Sequence, residues 1–218
     1  MINHFSLTDK STMVKRGCKG DATVLQPTYM TCVPLILDRI YKGATELVSR
    51  GGNTFQKVFQ WAYDYRLKAL RAGKTTPILD AIVFKPFRAQ LGGNIKVIVT
   101  GGAPLSGACH DFIRVCMGAP VLQGYALTET TACATAMQDM HDFSTTGKCG
   151  APIAGAQIKL VNWEEGNYRV TDKPNPRGEI HIGGNFISDG YVDFCFMYLL
   201  YFWGYLMRIP VKSLTLLD

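Results

Sequence analysis

The chain has 218 residues, 47% hydrophobic and 18% charged, a composition that builds a packed core and excludes disorder for most of its length. Its formal charge of +6 is uneven, because residues 1–96 hold fifteen Lys and Arg against six Asp and Glu, while the remainder holds eight against eleven. The basic half suits an anionic ligand, a membrane surface or plain solvated helix faces. Without interleaved aromatic and basic positions, it is not read as a nucleic-acid binder.

Seven cysteines, at 18, 32, 109, 116, 133, 149 and 195, form no C-x-x-C pair and no Cys/His metal spacing. Their odd number points to a reduced, intracellular compartment. The opening Met-Ile-Asn-His-Phe-Ser carries none of the features of a signal peptide, so no entry into the secretory pathway by that route is expected.

From Pro34 to Arg50, Ile36, Leu37, Ile40, Ala44, Leu47 and Val48 recur at helical spacing, and Gly51-Gly52 supplies a stop. A second helix is predicted from Asn53, a good N-cap, through Phe55, Val58, Phe59, Ala62 and Leu70 to Gly73. The period then changes. Residues 95–100, Ile-Lys-Val-Ile-Val-Thr, are β-branched and nearly continuously apolar, as a strand covered on both faces is. After Gly101-Gly102-Ala103-Pro104, Ser106 can cap a helix to about Met117, and Pro120-Val121-Leu122-Gln123 predicts another strand ending at Gly124.

A strand, turn, helix and strand with this connection length predict a parallel crossover. Both strand ends then open on one edge of the sheet, where ligands of open α/β sheets sit. Beyond residue 150 the pattern turns to β, with strands predicted at 157–161, at Tyr168-Arg169-Val170 returning from a turn at 164–167, and at 179–182.

At the first strand end, two glycines allow a planar ligand close to the backbone, and Ala-Pro keeps that path rigid. Taken alone, the motif reads more readily as a plain turn than as a ligand contact. At the second, Tyr125 offers a ring face, Thr128 a hydroxyl for a phosphate oxygen, and Glu129 a hard oxygen for Mg²⁺, which takes one or two carboxylates plus substrate phosphates. The same residues also suit the start of a capped helix with Tyr125 in the core, and the spacing leaves both readings open. Ser144-Thr145-Thr146-Gly147-Lys148-Cys149 resembles a phosphate loop. It lacks that motif's glycine at Asp142 and its hydroxyl residue at Cys149, so it reads as an ordinary loop. His4, His110, His141 and His181 show no metal or catalytic spacing.

Three consecutive stretches resemble signatures of the adenylate-forming (AMP-binding) enzymes: residues 100–106, Thr-Gly-Gly-Ala-Pro-Leu-Ser; residues 123–129, Gln-Gly-Tyr-Ala-Leu-Thr-Glu; and Arg177-Gly178-Glu179-Ile180 with Gly183-Gly184 and residues 187–191, Ile-Ser-Asp-Gly-Tyr. Residues 19–25, 37–41, 147–152 and 172–179 are similar to eukaryotic long-chain acyl-CoA synthetases, the branch preferring polyunsaturated acids, and the likeness runs from about Ser11 to Tyr191. It implies an α/β fold, a parallel sheet flanked by helices followed by the start of a small β subdomain. Residues 1–152 would form a partial AMP-binding subdomain, 153–191 a partial β subdomain and 192–218 a divergent hydrophobic tail.

The resemblance further implies ATP, AMP, Mg²⁺ and coenzyme A as cofactors or substrates and a long-chain fatty acid as the acid activated. Gly101, Gly102, Ala103, Pro104, Gln123, Gly124, Tyr125 and Thr128 would contact the nucleotide. Thr128 and Glu129 would be the catalytic pair, with Glu129 on the metal. The family's loop ending in Pro-Lys-Gly, ribose-binding Asp and adenylation Lys are not found, and Ala126 stands where the family usually has glycine. An internal fragment with little or no ligase activity by itself is therefore expected. The fourteen uncharged residues 194–207 fall short of the ~20 that span a bilayer and read as a buried or interfacial segment, arising from an alternative reading of the transcript or a truncated gene model. Peripheral membrane association and residence at the endoplasmic reticulum or another internal membrane follow by resemblance. The rival readings are another carboxylate-CoA ligase or luciferase-like adenylating enzyme, and a non-catalytic protein docking to lipid or to an intact synthetase through its aromatic tail.

Overall fold

A computed structural model describes residues 19–137, 139 and 141–190. The hydrophobic tail expected at 192–218 lies outside the described residues. The chain divides into two compact units, Met1–Gln123 with Asp139–Gly147, and Gly124–Gln138 with Lys148–Asp218.

The first unit contains three parallel strands in the order β1 (Tyr29–Cys32), β2 (Val97–Thr100) and the first residues of β3 (Val121–Tyr125). Its helices are α1 (Asp21–Leu25), α2 (Pro34–Arg50), α3 (Gly52–Arg71), α4 (Pro77–Leu79), α5 (Lys85–Ala89) and α6 (Gly107–Met117), with a π-helical stretch, Asp80–Phe84, between α4 and α5. The apolar period of α2 places Leu37, Ile40 and Ala44 in the core, as the sequence predicts. They meet Phe59 and Ala62 of α3, Phe84, Ile98 of β2 and Ile113 of α6. Each such fully buried large side chain contributes about 1.5–3 kcal/mol of transfer free energy. Phe59 gathers the aromatic part, with ring centroids 5.3 Å from Phe87 and 6.3 Å from Phe112.

The start of α3 differs from expectation. Gly51 is its N-cap, Asn53 lies within the first turn, and no side chain caps it. Gly52 adopts φ +79°, which turns the chain directly from α2 into α3 and leaves no room for a capping loop. Gln56 instead reaches back and donates to the Ser49 carbonyl at 2.9 Å.

In the second unit, the last residues of β3 pair antiparallel with β4 (Thr135–Ala136), and β4 pairs antiparallel with β5 (Ala151–Pro152). A separate hairpin joins β6 (Gln157–Val161) to β7 (Glu179–Gly183). The strand expected at Tyr168-Arg169-Val170 does not form. Asp172 takes the Arg169 N–H at 3.0 Å and Asn162 takes the Val170 N–H at 2.9 Å, so side chains consume the donors a ladder needs. Only an isolated bridge, Trp163 with Tyr168, remains, and β7 is the true partner of β6.

Candidate functional site

In the first unit, β2 and β3 run parallel in register, with Thr100 opposite Gln123. The crossover between them is α6, capped as expected: Ser106 Oγ accepts from the Cys109 N–H at 3.2 Å, and Gly118 ends the helix in the left-handed region at φ 65°. The carboxyl ends of the two strands therefore leave the sheet at one edge. Gly102, Ala103 and Pro104 stand exposed after β2, while buried Leu105 anchors the loop from below. Gly102 sits at φ 82°, and a Cβ there would meet no atom within 4 Å. Gln123 is buried in β3.

In the second unit, Gly124 lies where a Cβ would come within 2.9 Å of the Thr135 carbonyl oxygen, so β3 and β4 approach closely because residue 124 has no side chain. Tyr125 pairs with Thr135, and its ring is buried in a small cluster with Ala134 and Ile180. Burial, then the neighbouring Cys149 and Glu129, raise its phenol above the ordinary value. Thr128, Glu129 and Thr130 form a single 3₁₀ turn and no helix follows it. Thr130 locks this turn, its hydroxyl accepting from the Leu127 N–H at 2.9 Å and donating to the Leu127 carbonyl at 3.0 Å. The turn is tied down again where the Ser188 N–H donates to the Glu129 carbonyl at 2.8 Å and Thr131 Oγ1 donates to the Phe186 carbonyl at 2.7 Å.

Thr128 is thereby exposed and Glu129 half-buried on a braced turn directly after a strand. Among the described residues no three His, Cys, Asp or Glu side chains cluster as a metal site. A single carboxylate on a fixed turn nevertheless fits Mg²⁺ carried by substrate phosphates, which completes its shell largely with phosphate and water oxygens. The sequence reading missed Thr130, whose role depends on two short contacts within one turn. The stretch around Lys148 is a loop, as read from the sequence: a one-turn 3₁₀ segment, Phe143–Thr145, capped by Asp142 accepting from the Ser144 N–H at 2.7 Å.

The sequence profile of the AMP-binding enzyme family matches residues 5–192. The chain belongs to this family. It is 47% identical over 194 residues to long chain acyl-CoA synthetase 8 of Arabidopsis thaliana, covering 86% of this chain and 27% of that protein. It is 37% identical over 172 residues to the same plant's peroxisomal long chain acyl-CoA synthetase 6, covering 78% and 24%. With the A domain of carboxylic acid reductase from Segniliparus rugosus, solved with AMP and a co-purified carboxylic acid, the TM-score is 0.49 at 23% identity, over 78% of this chain and 22% of that one. The expected membership of the AMP-binding enzyme family, with similarity to long-chain acyl-CoA synthetases, is borne out. The family member spans about a quarter of the length of the curated relatives it matches.

Proposed function

We propose that this chain supplies nucleotide-binding elements of an ATP-dependent long-chain fatty acid–CoA ligase. The observation that carries the reading is the parallel pairing of β2 and β3 with Thr100 opposite Gln123, which brings two strand ends to one edge of the sheet, the position at which open α/β sheets hold ligands. In the proposed reaction a fatty carboxylate oxygen attacks the α-phosphorus of ATP, and the bond to pyrophosphate breaks, giving acyl-adenylate. The sulfur of coenzyme A then attacks the acyl carbon, its proton leaves, and AMP departs with the carbon–oxygen bonding pair.

Such transfers depend on positioning and on neutralising charge where it develops. Gly101, Gly102, Ala103 and Pro104 are proposed to lie along the adenine, with Gln123, Gly124 and Tyr125 as further nucleotide contacts. Thr128 would donate to an α-phosphate oxygen, and Glu129 would hold Mg²⁺, which supplies charge neutralisation on the phosphates. The exposed hydroxyl of Thr128 and the braced carboxylate of Glu129 support these roles. Resemblance supports a place at the endoplasmic reticulum or another internal membrane. Among the described residues no helix is long and apolar enough to cross one.

Titration of the chain with AMP and with Mg·ATP tests the reading. Saturable binding is expected. Glu129→Gln should weaken Mg·ATP more than AMP, and Thr128→Val should weaken both. Equal affinity of the parent and both variants would remove the assignment. A panel of carboxylic acids in an acyl-CoA assay on a longer natural form distinguishes a fatty acid ligase from one acting on aryl or short-chain acids.

A further inference from the structure

The first unit contains a cavity of about 490 Å³ bounded by α3, the segment leading into α4, α5 and the turn after α6. Its lining concentrates positive charge. Arg66 and Arg88 both bond the same carboxylate oxygen of Asp80, the Arg88 contact being 2.5 Å. The Arg66 side chain is only 4% exposed. Two guanidiniums on one carboxylate leave a buried charge without a counter-ion, an arrangement that is costly unless something else supplies it.

The hydrogen-bond inventory shows the same deficit. The Nε–H groups of Arg66 and of Arg88 are both buried with no acceptor among the described residues. Among the described residues, Arg66 Nη1 finds only the Thr76 hydroxyl, at 3.3 Å, besides Asp80. Burial, and then the proximity of Arg88, push the Arg66 guanidinium down to about 10. The Arg88 guanidinium lies against Gly118, its Nη2 2.2 Å from where a Cβ on that residue would stand. Lys74 lines the cavity from an exposed position. Arg114 also lines it, but its guanidinium lies 3.7 Å over the Phe143 ring and donates to the Asp142 carbonyl.

Arg66, Arg88 and Lys74 against Asp80 leave two positive charges, which a phosphate dianion balances. Guanidinium forks match its tetrahedral oxygens better than a single point charge does. We propose that this cavity is a binding site for a phosphate dianion, either free or as the monoester of a small molecule. None of these residues belongs to the motifs at 101–104 or 123–129, so the proposal stands apart from the nucleotide reading.

Equilibrium binding of inorganic phosphate to the chain, followed by ³¹P NMR at constant ionic strength in chloride, tests it, with glycerol phosphate as a second probe. Saturable binding is expected, weakened about tenfold or more by Arg88→Gln and severalfold by Lys74→Ala. Tighter binding of the monoester assigns the site to phosphate esters, and tighter binding of the ion assigns it to free phosphate. Glu129→Gln should leave phosphate binding at the parental value. The proposal is overturned by the absence of saturable binding, by full binding in a folded Arg88→Gln variant, or by loss of phosphate binding in Glu129→Gln. Should Arg88→Gln fail to fold, Lys74→Ala decides, because that side chain is exposed, and unaltered binding there overturns it.

Discussion

His110 of α6 lies 2.8 Å through Nε2 from the carbonyl oxygen of Val121 in β3, so the crossover helix is pinned to the strand it delivers. Nδ1 accepts from the Gly147 N–H at 3.3 Å. One nitrogen must donate and the other accept, so the ring is neutral with its proton on Nε2. Burial holds its pKa below the ordinary 6.5, against the smaller opposing pull of the Val121 bond. Above 6.5 the folded and unfolded chains both carry the neutral ring, and this group adds no pH slope. Below it the unfolded chain takes up a proton that the folded one resists, so stability falls as the pH drops below about 6.5. Urea unfolding across that range should show the loss, and His110→Phe should flatten it while costing about 2–4 kcal/mol at pH 7, because the buried Val121 carbonyl and the half-buried Gly147 N–H lose their partner. A His110→Phe variant with the parental pH slope would refute the account.

Where a single element decides the local outcome, the sequence was sufficient. The period of α2, the Ser106 cap and the β-branched run of β2 each follow from side chains acting within one turn or one strand. The parallel crossover also followed, because an eleven-residue helix between two strands permits little else. β1 escaped detection because its four residues alternate exposed and half-buried, and pairing with β2 gives them their conformation. Tyr168-Arg169-Val170 misled for the opposite reason: its apolar pattern fits a strand, but Asp172 and Asn162 capture its donors. At the candidate site, the motif residues were legible and their bracing by Thr130 and Ser188 was not. A signal for the arginine cavity was present and went unread. Arg66 falls on the apolar stripe Phe59, Ala62, Leu70 of α3, where a charge needs a buried partner.

Gly102 and Gly150 both adopt positive φ, 82° and 81°, yet their substitutions should differ. A Cβ on Gly150 would lie 2.1 Å from the Ala136 carbonyl carbon, inside the backbone of β4. Gly150→Ala should therefore cost about 3 kcal/mol or more, while Gly102→Ala, with open space around it, should cost only the left-handed strain of about 1–2 kcal/mol. If the loop at 102 approaches a nucleotide, Gly102→Ala should also lose AMP affinity out of proportion to its stability. Thermal unfolding and AMP titration of the two variants check both parts, and equal destabilisation would contradict the steric argument.

Four thiols should be poor nucleophiles in the folded chain. Burial pushes Cys32 up to about 11 and Cys109 up to about 12, with Asp38 adding to the rise at Cys109, and it also raises Cys116 and Cys149. Since only the thiolate attacks, roughly one Cys32 in a thousand is reactive at pH 8. Iodoacetamide labelling followed by peptide mapping should find these positions slow in buffer and fast in denaturant. Native labelling of Cys109 at the denatured rate would show that α6 does not bury it.

Thr130 offers the sharpest separation of turn geometry from side-chain chemistry at the candidate site. Its hydroxyl both accepts from and donates to the backbone of Leu127, and the side chain is 2% exposed. Thr130→Val keeps the shape and removes both bonds, leaving the Leu127 N–H without its acceptor at a cost of about 1–2 kcal/mol. The residues on the loosened turn, Thr128 and Glu129, remain chemically intact. If their fixed placement matters, Mg·ATP should bind severalfold more weakly to Thr130→Val, and Thr130→Ser, which retains the hydroxyl, should restore it. Parental affinity in a measurably destabilised Thr130→Val variant would mean that the turn braces the second unit without positioning the nucleotide contacts.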